Sequence, residues 1–250
     1  MIISSANLTT GQDRPRSPSI THVTTHGAAR SRNYEARLAV SPQTRHDAYR
    51  VRYHSYFSSG YIAANPAGMF SDRFDDQPNA LTVVLYENAR PVASVRVCLL
   101  TRGTDFTSPA RETFTDEVDQ ALAADADDAF GGRGLEINRL VRTPDAANNH
   151  GLVFLLYRMA GYIALAKHTH TYFACVRPNH APFYRRLGYE LAAPPKPYPG
   201  LKCDMQLMMS DRIRYDRIRA AVPMMDPFTG TTGSLAGFFE GAPVSLRLTD

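Results

Sequence analysis

The sequence predicts an α/β fold built on one mixed, mostly antiparallel sheet flanked by helices. Two patterns predict it: β-branched apolar runs, the first two of them close enough to form a hairpin, and segments of helical apolar spacing that separate the later runs. The resulting order of hairpin, helix, strand, helix, strand, helix and strand suits a mixed sheet covered by helices. At 250 residues and 44% hydrophobic content, the chain can bury one sizeable core with decorations.

Residues 1–33 are rich in Ser, Thr, Pro and Arg without periodicity, the composition of a disordered tail. A single domain is expected over 34–210, followed over 211–250 by a helix and an irregular extension. Tyr34 to Val40 reads as a first edge strand. Ser41-Pro42 then supplies a cap and a proline at the opening of a helix that runs to about Phe57 and carries Arg52 among aromatic residues. Residues 58–80 form a long loop containing Asp72, Asp75 and Asp76, and loops of that length tend to be functional. Leu81 to Glu87 and Pro91 to Leu100 read as a hairpin, with Ser94, Arg96 and Cys98 on one face by alternation. A helix is expected over 116–127, a strand over Gly134 to Arg142, and a helix from Gly151. The stripe of that last helix is Leu152, Leu155, Leu156, Met159 and Ile163. A strand over Thr171 to Val176, a short helix ended by Gly188, a strand over Met205 to Met209 and a helix over Asp211 to Ala221 complete the order.

The net charge of +4 is mild and lacks a dense basic block, so nothing calls for nucleic acid, whereas an acidic protein partner suits it. Three scattered cysteines exclude a disulfide framework or zinc knuckle and point to a reducing compartment, and no histidine pair has metal spacing. The first ten residues lack the pattern of a secretory signal. The apolar segment 151–166 is too short for a membrane span and contains Arg158, so a cytoplasmic protein without membrane insertion is expected.

The charged residues concentrate attention on Gly134 to Arg142, where Glu136 and Arg139 interrupt an apolar strand. Buried ions need partners or a polar cleft, so Glu136 reads either as a general base or as half of an ion pair. Arg139 falls on the opposite face from Glu136 unless a bulge adds a residue.

Arg52 and Tyr56, Asp72-x-x-Asp75, Arg96, Glu136-x-x-Arg139 and Asn179-His-Ala-Pro-Phe-Tyr184-Arg-Arg-Leu-Gly188 occur in a telling order. In them the chain resembles the GNAT-fold acyltransferases, and among these the N-acyl amino acid synthases and the related acyl-homoserine-lactone synthases. The resemblance covers about Tyr34 to Ser210. It implies a GNAT-like sheet splayed at a bulged central strand, which admits a pantetheine arm and frees a backbone amide for the thioester carbonyl. It further implies Glu136, Arg139 and Tyr184 as catalytic residues, Tyr184 by protonating the leaving thiolate. Arg52, Asp72, Asp75 and Arg96 would shape the acceptor side, with Arg52 either gripping the acceptor carboxylate or joining the Asp cluster. Leu152, Phe154, Leu155 and Met159 are core residues by pattern, and some of them, with Leu152, Leu155 and Met159 foremost, would line an acyl tunnel.

Two departures matter. The chain has no Trp, which the homoserine-lactone synthases usually carry between the first helix and the Asp pair. The loop from Arg142 to Gly151 has one glycine, a proline and an aspartate where CoA-dependent relatives cradle a pyrophosphate on backbone amides. The expected reaction therefore moves a medium- or long-chain acyl group to the amine of an amino acid. Its donor is the phosphopantetheine thioester of an acyl carrier protein, with CoA as the other donor to consider, and no cofactor is bound. A homoserine-lactone synthase or a catalytically silent carrier-protein-binding module are the alternatives. The Glu136 carboxylate is expected to open onto a cleft between diverging strands, a sealed Glu136 leaving only the ion-pair reading.

Overall fold

A computed structural model describes residues 31–124, 131–233 and 235–249. The tail expected over 1–33 lies outside these residues except for its last three, and the end of the helix expected over 116–127 also falls outside.

Among the described residues, nine strands form one sheet in the order β6-β7-β5-β4-β3-β2-β1-β9-β8. They are β1 (Ser31–Leu38), β2 (Ala80–Glu87), β3 (Arg90–Thr101), β4 (Arg133–Arg142), β5 (Thr171–Val176), β6 (Glu190–Pro197), β7 (Asp204–Asp211), β8 (Thr231–Thr232) and β9 (Val244–Thr249). The helices are α1 (Pro42–Ser58), α2 (Pro109–Thr113), α3 (Thr115–Ala124), α4 (Gly151–Ala166), α5 (Ala181–Arg186) and α6 (Arg212–Ala221). The β4–β5 pair is parallel and the other pairs are antiparallel. This is the GNAT-like arrangement that the resemblance implied.

Local chemistry sets most boundaries. Ser41 Oγ accepts from the Thr44 amide at 3.2 Å to cap α1, with Pro42 opening the helix. Asn88 and Ala89, both at positive φ (51° and 63°), make the two-residue turn between β2 and β3. Alternation then sorts the central strands. Val95, Val97, Leu135 and Ile137 join the main core under Leu152, Leu155, Leu156 and Met159 of α4. Arg96, Cys98, Glu136 and Asn138 share the opposite face, where α1 to α3 pack.

One expectation is corrected and one strand is added. The segment after α6 is not an irregular extension: Val244, Leu246 and Leu248 alternate inward as β9, which pairs with β1 and removes β1 from the sheet edge. The Pro-containing stretch 190–197 is itself a strand, β6. It occupies the sheet edge, where a proline forfeits no ladder bond.

Candidate active site

The central strand carries the bulge. Cys98 faces Glu136, Val97 faces Ile137 and Arg96 faces Asn138, but Ser94 faces Val141, so Arg139 and Leu140 together oppose Val95. Arg139 adopts φ 51°, a left-handed conformation that costs a side-chain-bearing residue roughly 1–2 kcal/mol. The added residue turns the Arg139 side chain to the face that holds Glu136. There its Nε and Nη2 both donate to Asp72 Oδ2, at 3.1 and 2.7 Å, and Nη2 also donates to the Pro199 carbonyl at 3.0 Å. The rings of Phe70, Tyr56 and Tyr198 lie 5.0, 5.8 and 5.7 Å from its guanidinium carbon.

Asp72 is the hub of a largely buried network. Arg96 donates to both its oxygens, at 2.6 and 3.1 Å, and passes its Nε to Asn138 Oδ1 at 2.8 Å. Arg96 Nη1 also meets Asp75 at 2.9 Å, and Arg52 Nη1 donates to the same carboxylate at 2.7 Å. Burial by itself would raise the Asp72 pKa, but Arg96 and Arg139 outweigh it and bring the carboxyl to about 2. Burial works against the Arg96 charge too, and its pKa is nonetheless raised with Asp72 and Asp75 beside it. Arg52 therefore joins the Asp cluster. Fully buried, bonded to Asp75 and Thr82, it is closed to a substrate carboxylate. The cluster anchors the loop of residues 58–80 onto the sheet, and Arg52, Asp72, Asp75 and Arg96 lie outside the cavity wall.

That cavity, about 580 Å³, opens where β4 and β5 part. Their pairing ends at Ile137 and Ala174, and the wall includes residues just beyond, 138–142 on β4 and 175–176 on β5 followed by Arg177. Arg139 and Tyr184 line it. Among the lining residues are three arginines (Arg139, Arg142, Arg177), two histidines (His150, His180) and no carboxylate. Arg142 and Arg177 pair with no carboxylate among the described residues. Arg142 donates to the Asn149 carbonyl at 2.9 Å, and Arg177 hydrogen-bonds the Tyr61 hydroxyl and meets His180 Nε2 at 2.7 Å. Burial, and then Arg177 and Arg142, hold the His180 pKa below its ordinary value.

Two expectations fail at this cavity. Leu152, Leu155 and Met159 do not line it, because they point under the sheet into the main core. From α4 it is Val153 and Phe154, one helical step around, that reach the wall. Glu136 does not open onto it either. Fully buried, it accepts from the Ala110 amide at 2.8 Å and from the Tyr198 hydroxyl at 2.7 Å, so it is not exposed to the cleft, and among the described residues it pairs with no arginine. Tyr198 and Cys175, which do line the cavity, had no sequence pattern to mark them. The one cue for Tyr198 was an aromatic residue between Pro197 and Pro199.

The bulged, splayed sheet and the cavity between its diverging strands define a GNAT-like N-acyltransferase. The family model for N-acyl amino acid synthase FeeM matches residues 47–211. The chain belongs to that family, and it is an N-acyltransferase. Among solved structures, the fold is similar to that of FeeM, an N-acyl amino acid synthase from uncultured soil microbes (TM-score 0.58, 19% identity, 79% of this chain and 98% of that one). It is also similar to TofI in a ternary complex with an inhibitor and MTA (TM-score 0.54, 14% identity, 77% of this chain and 97% of that one). No curated protein matches the sequence.

Proposed function

We propose that the enzyme moves a medium- or long-chain acyl group from the phosphopantetheine thioester of an acyl carrier protein to the amine of an amino acid. The observation that carries this reading is the charge of the cavity wall, which holds three arginines and no carboxylate. Both proposed substrates bring an anion: the donor a phosphate and the acceptor a carboxylate.

The donor phosphate falls to side chains because the backbone near α4 is already committed. The amides of Ala146, Ala147, Asn149, His150, Leu152 and Val153 all donate to carbonyls of the same segment, at 3.0 to 3.3 Å. Asp145 is tied outward to Arg90. Few amides are left to form the pyrophosphate cradle that CoA would need, which favours a donor with a single phosphate. Arg142 and Arg177 can meet a single phosphate, and an acidic carrier protein complements the basic excess of the chain.

Arg139 is our acceptor clamp. It lines the cavity, is held rigid by Asp72 and Pro199, and keeps Nη1 buried without a hydrogen-bond partner. Such an orphaned donor costs about 1–3 kcal/mol, which an acceptor carboxylate would recover. The amine nitrogen then attacks the thioester carbonyl. The C–N bond forms, the amine proton passes towards Glu136, and the C–S bond breaks with Tyr184 protonating the thiolate. Burial raises the Tyr184 pKa, which keeps its proton available for that step.

The reading is tested by mixing the pure protein with acyl carrier proteins of graded acyl length and a pool of amino acids, followed by mass spectrometry. N-acyl amino acids are the expected product. None with acyl carrier protein, alongside good turnover of acyl-CoA, would overturn the donor assignment, and none with either donor would overturn the reaction.

A further inference from the structure

A base that is sealed from the cavity cannot take a proton from a substrate held there. Glu136 is fully buried, its oxygens go to the Ala110 amide and the Tyr198 hydroxyl, and it forms no part of the cavity wall. Tyr198 does form part of that wall. Its position is fixed from several sides. The next residue, Pro199, gives its carbonyl to Arg139 Nη2 at 3.0 Å, and the Tyr198 carbonyl accepts from the Leu201 amide at 3.3 Å. Further along the same turn, the Lys202 amide donates to the Tyr61 carbonyl at 3.2 Å. The ring packs 5.7 Å from the Arg139 guanidinium carbon, the group assigned above to the acceptor carboxylate. Tyr198 thus joins the sealed carboxylate, through its hydroxyl, to the wall of the cavity that Arg139 also lines.

Resting on the acyl-transfer reading, we propose that Tyr198 is a catalytic residue, the proton relay that joins the acceptor amine to Glu136. As the amine nitrogen bonds to the thioester carbon, one of its N–H bonds breaks and the Tyr198 oxygen takes that proton. In the same step the Tyr198 proton passes to Glu136 Oε1. The carboxylate becomes neutral, the nitrogen loses its positive charge, and the phenol ends as it began. After product leaves, Glu136 returns the proton through Tyr198 to solvent in the emptied cavity. Burial, and then Glu136 and Cys175, hold the Tyr198 pKa well above the ordinary phenol value against the opposing charge of Arg139. A free phenolate is therefore not the base, and the two transfers have to be concerted.

Tyr198→Phe removes one oxygen and keeps the ring against Arg139. The relay requires kcat to fall by about a hundredfold or more, with KM for both substrates within about threefold of wild type. It also requires Glu136→Gln to cost little further in the Tyr198→Phe background, since both groups serve one path. Losses that multiply, or a Tyr198→Phe enzyme retaining a third or more of wild-type kcat, would overturn it. Rates in mixtures of H2O and D2O read the same question on the wild-type enzyme, independently of how the variant folds: a curved dependence shows two protons in flight, and a straight one overturns the relay. An active wild type with an equally active variant sinks the relay alone. A wild type inert with every donor sinks the acyl-transfer reading beneath it.

Discussion

Arg139 and Asp72 are joined by two hydrogen bonds to one carboxylate oxygen, from Nε at 3.1 Å and from Nη2 at 2.7 Å. The pair links the bulge of the central strand to the long loop, and it holds Arg139 in place while leaving Nη1 without a partner.

Asp72→Asn leaves Arg96 and Arg139 facing a neutral amide, so a loss of about 3–5 kcal/mol is expected in urea unfolding, as for other broken buried pairs. The pH dependence follows from the sign of the shift. The Asp72 carboxyl falls from its ordinary 3.8 to about 2 on folding, so its contribution is full above the unfolded value and is lost as pH drops towards 2. Between those limits wild type should lose about 2 kcal/mol that Asp72→Asn has already lost. Parallel acid limbs for the two proteins would contradict the assignment.

Glu136→Gln should reduce turnover by about a hundredfold or more while the protein stays folded, because the amide oxygen can still accept from Ala110 and the amide nitrogen can donate to Tyr198. Circular dichroism and single-turnover kinetics check the two halves. Unchanged turnover in a folded variant would return Glu136 to a structural role.

Phe154 and Leu155 are neighbours on α4 with different duties. Phe154 lines the cavity and packs edge-on against Phe183, with centroids 6.1 Å apart, whereas Leu155 is fully buried under the sheet. Phe154→Ala should shift product formation towards longer acyl chains. Leu155→Ala should cost roughly 2–5 kcal/mol of stability and leave the chain-length profile alone. Competition among acyl donors, read by mass spectrometry, decides it.

Donor binding should take up protons near neutral pH. His180 has a lowered pKa because burial and then Arg177 and Arg142 oppose its charge, and an anion among these groups relieves the last two. Calorimetry of phosphopantetheine binding in buffers of differing ionisation heat measures the uptake, and zero uptake in His180→Ala identifies its source. The same depression means that folding stability declines as pH falls below the ordinary histidine value, since the unfolded chain then binds the proton more readily.

Much of the fold was legible because it rests on local rules. Ser41-Pro42 wrote the start of α1, Asn88-Ala89 wrote a hairpin, and the Leu152 to Ile163 stripe wrote the buried face of α4. The strand β9 was legible too, in Val244, Leu246 and Leu248, but it was hidden by the Gly and Pro residues before it. The Pro-rich β6 was not, because a sequence does not say which strand will lie at an edge. In the site, the odd spacing of Glu136 and Arg139 announced a bulge, since three residues along a regular strand cannot share a face.

By itself, then, the sequence determined the order of elements, the charged constellation and the need for irregularity at Arg139, all of which follow from periodicity and the cost of burying charge. Only the tertiary structure decided which of those charges line the cavity. Arg52, Asp75 and Arg96 close on one another, Arg139 lines the cavity, and Glu136 accepts from the hydroxyl of a cavity-lining tyrosine 62 residues away. The reason is physical: periodicity reports which face of an element is buried, whereas the lining of a cavity depends on where two strands part and which distant loop lies across the gap.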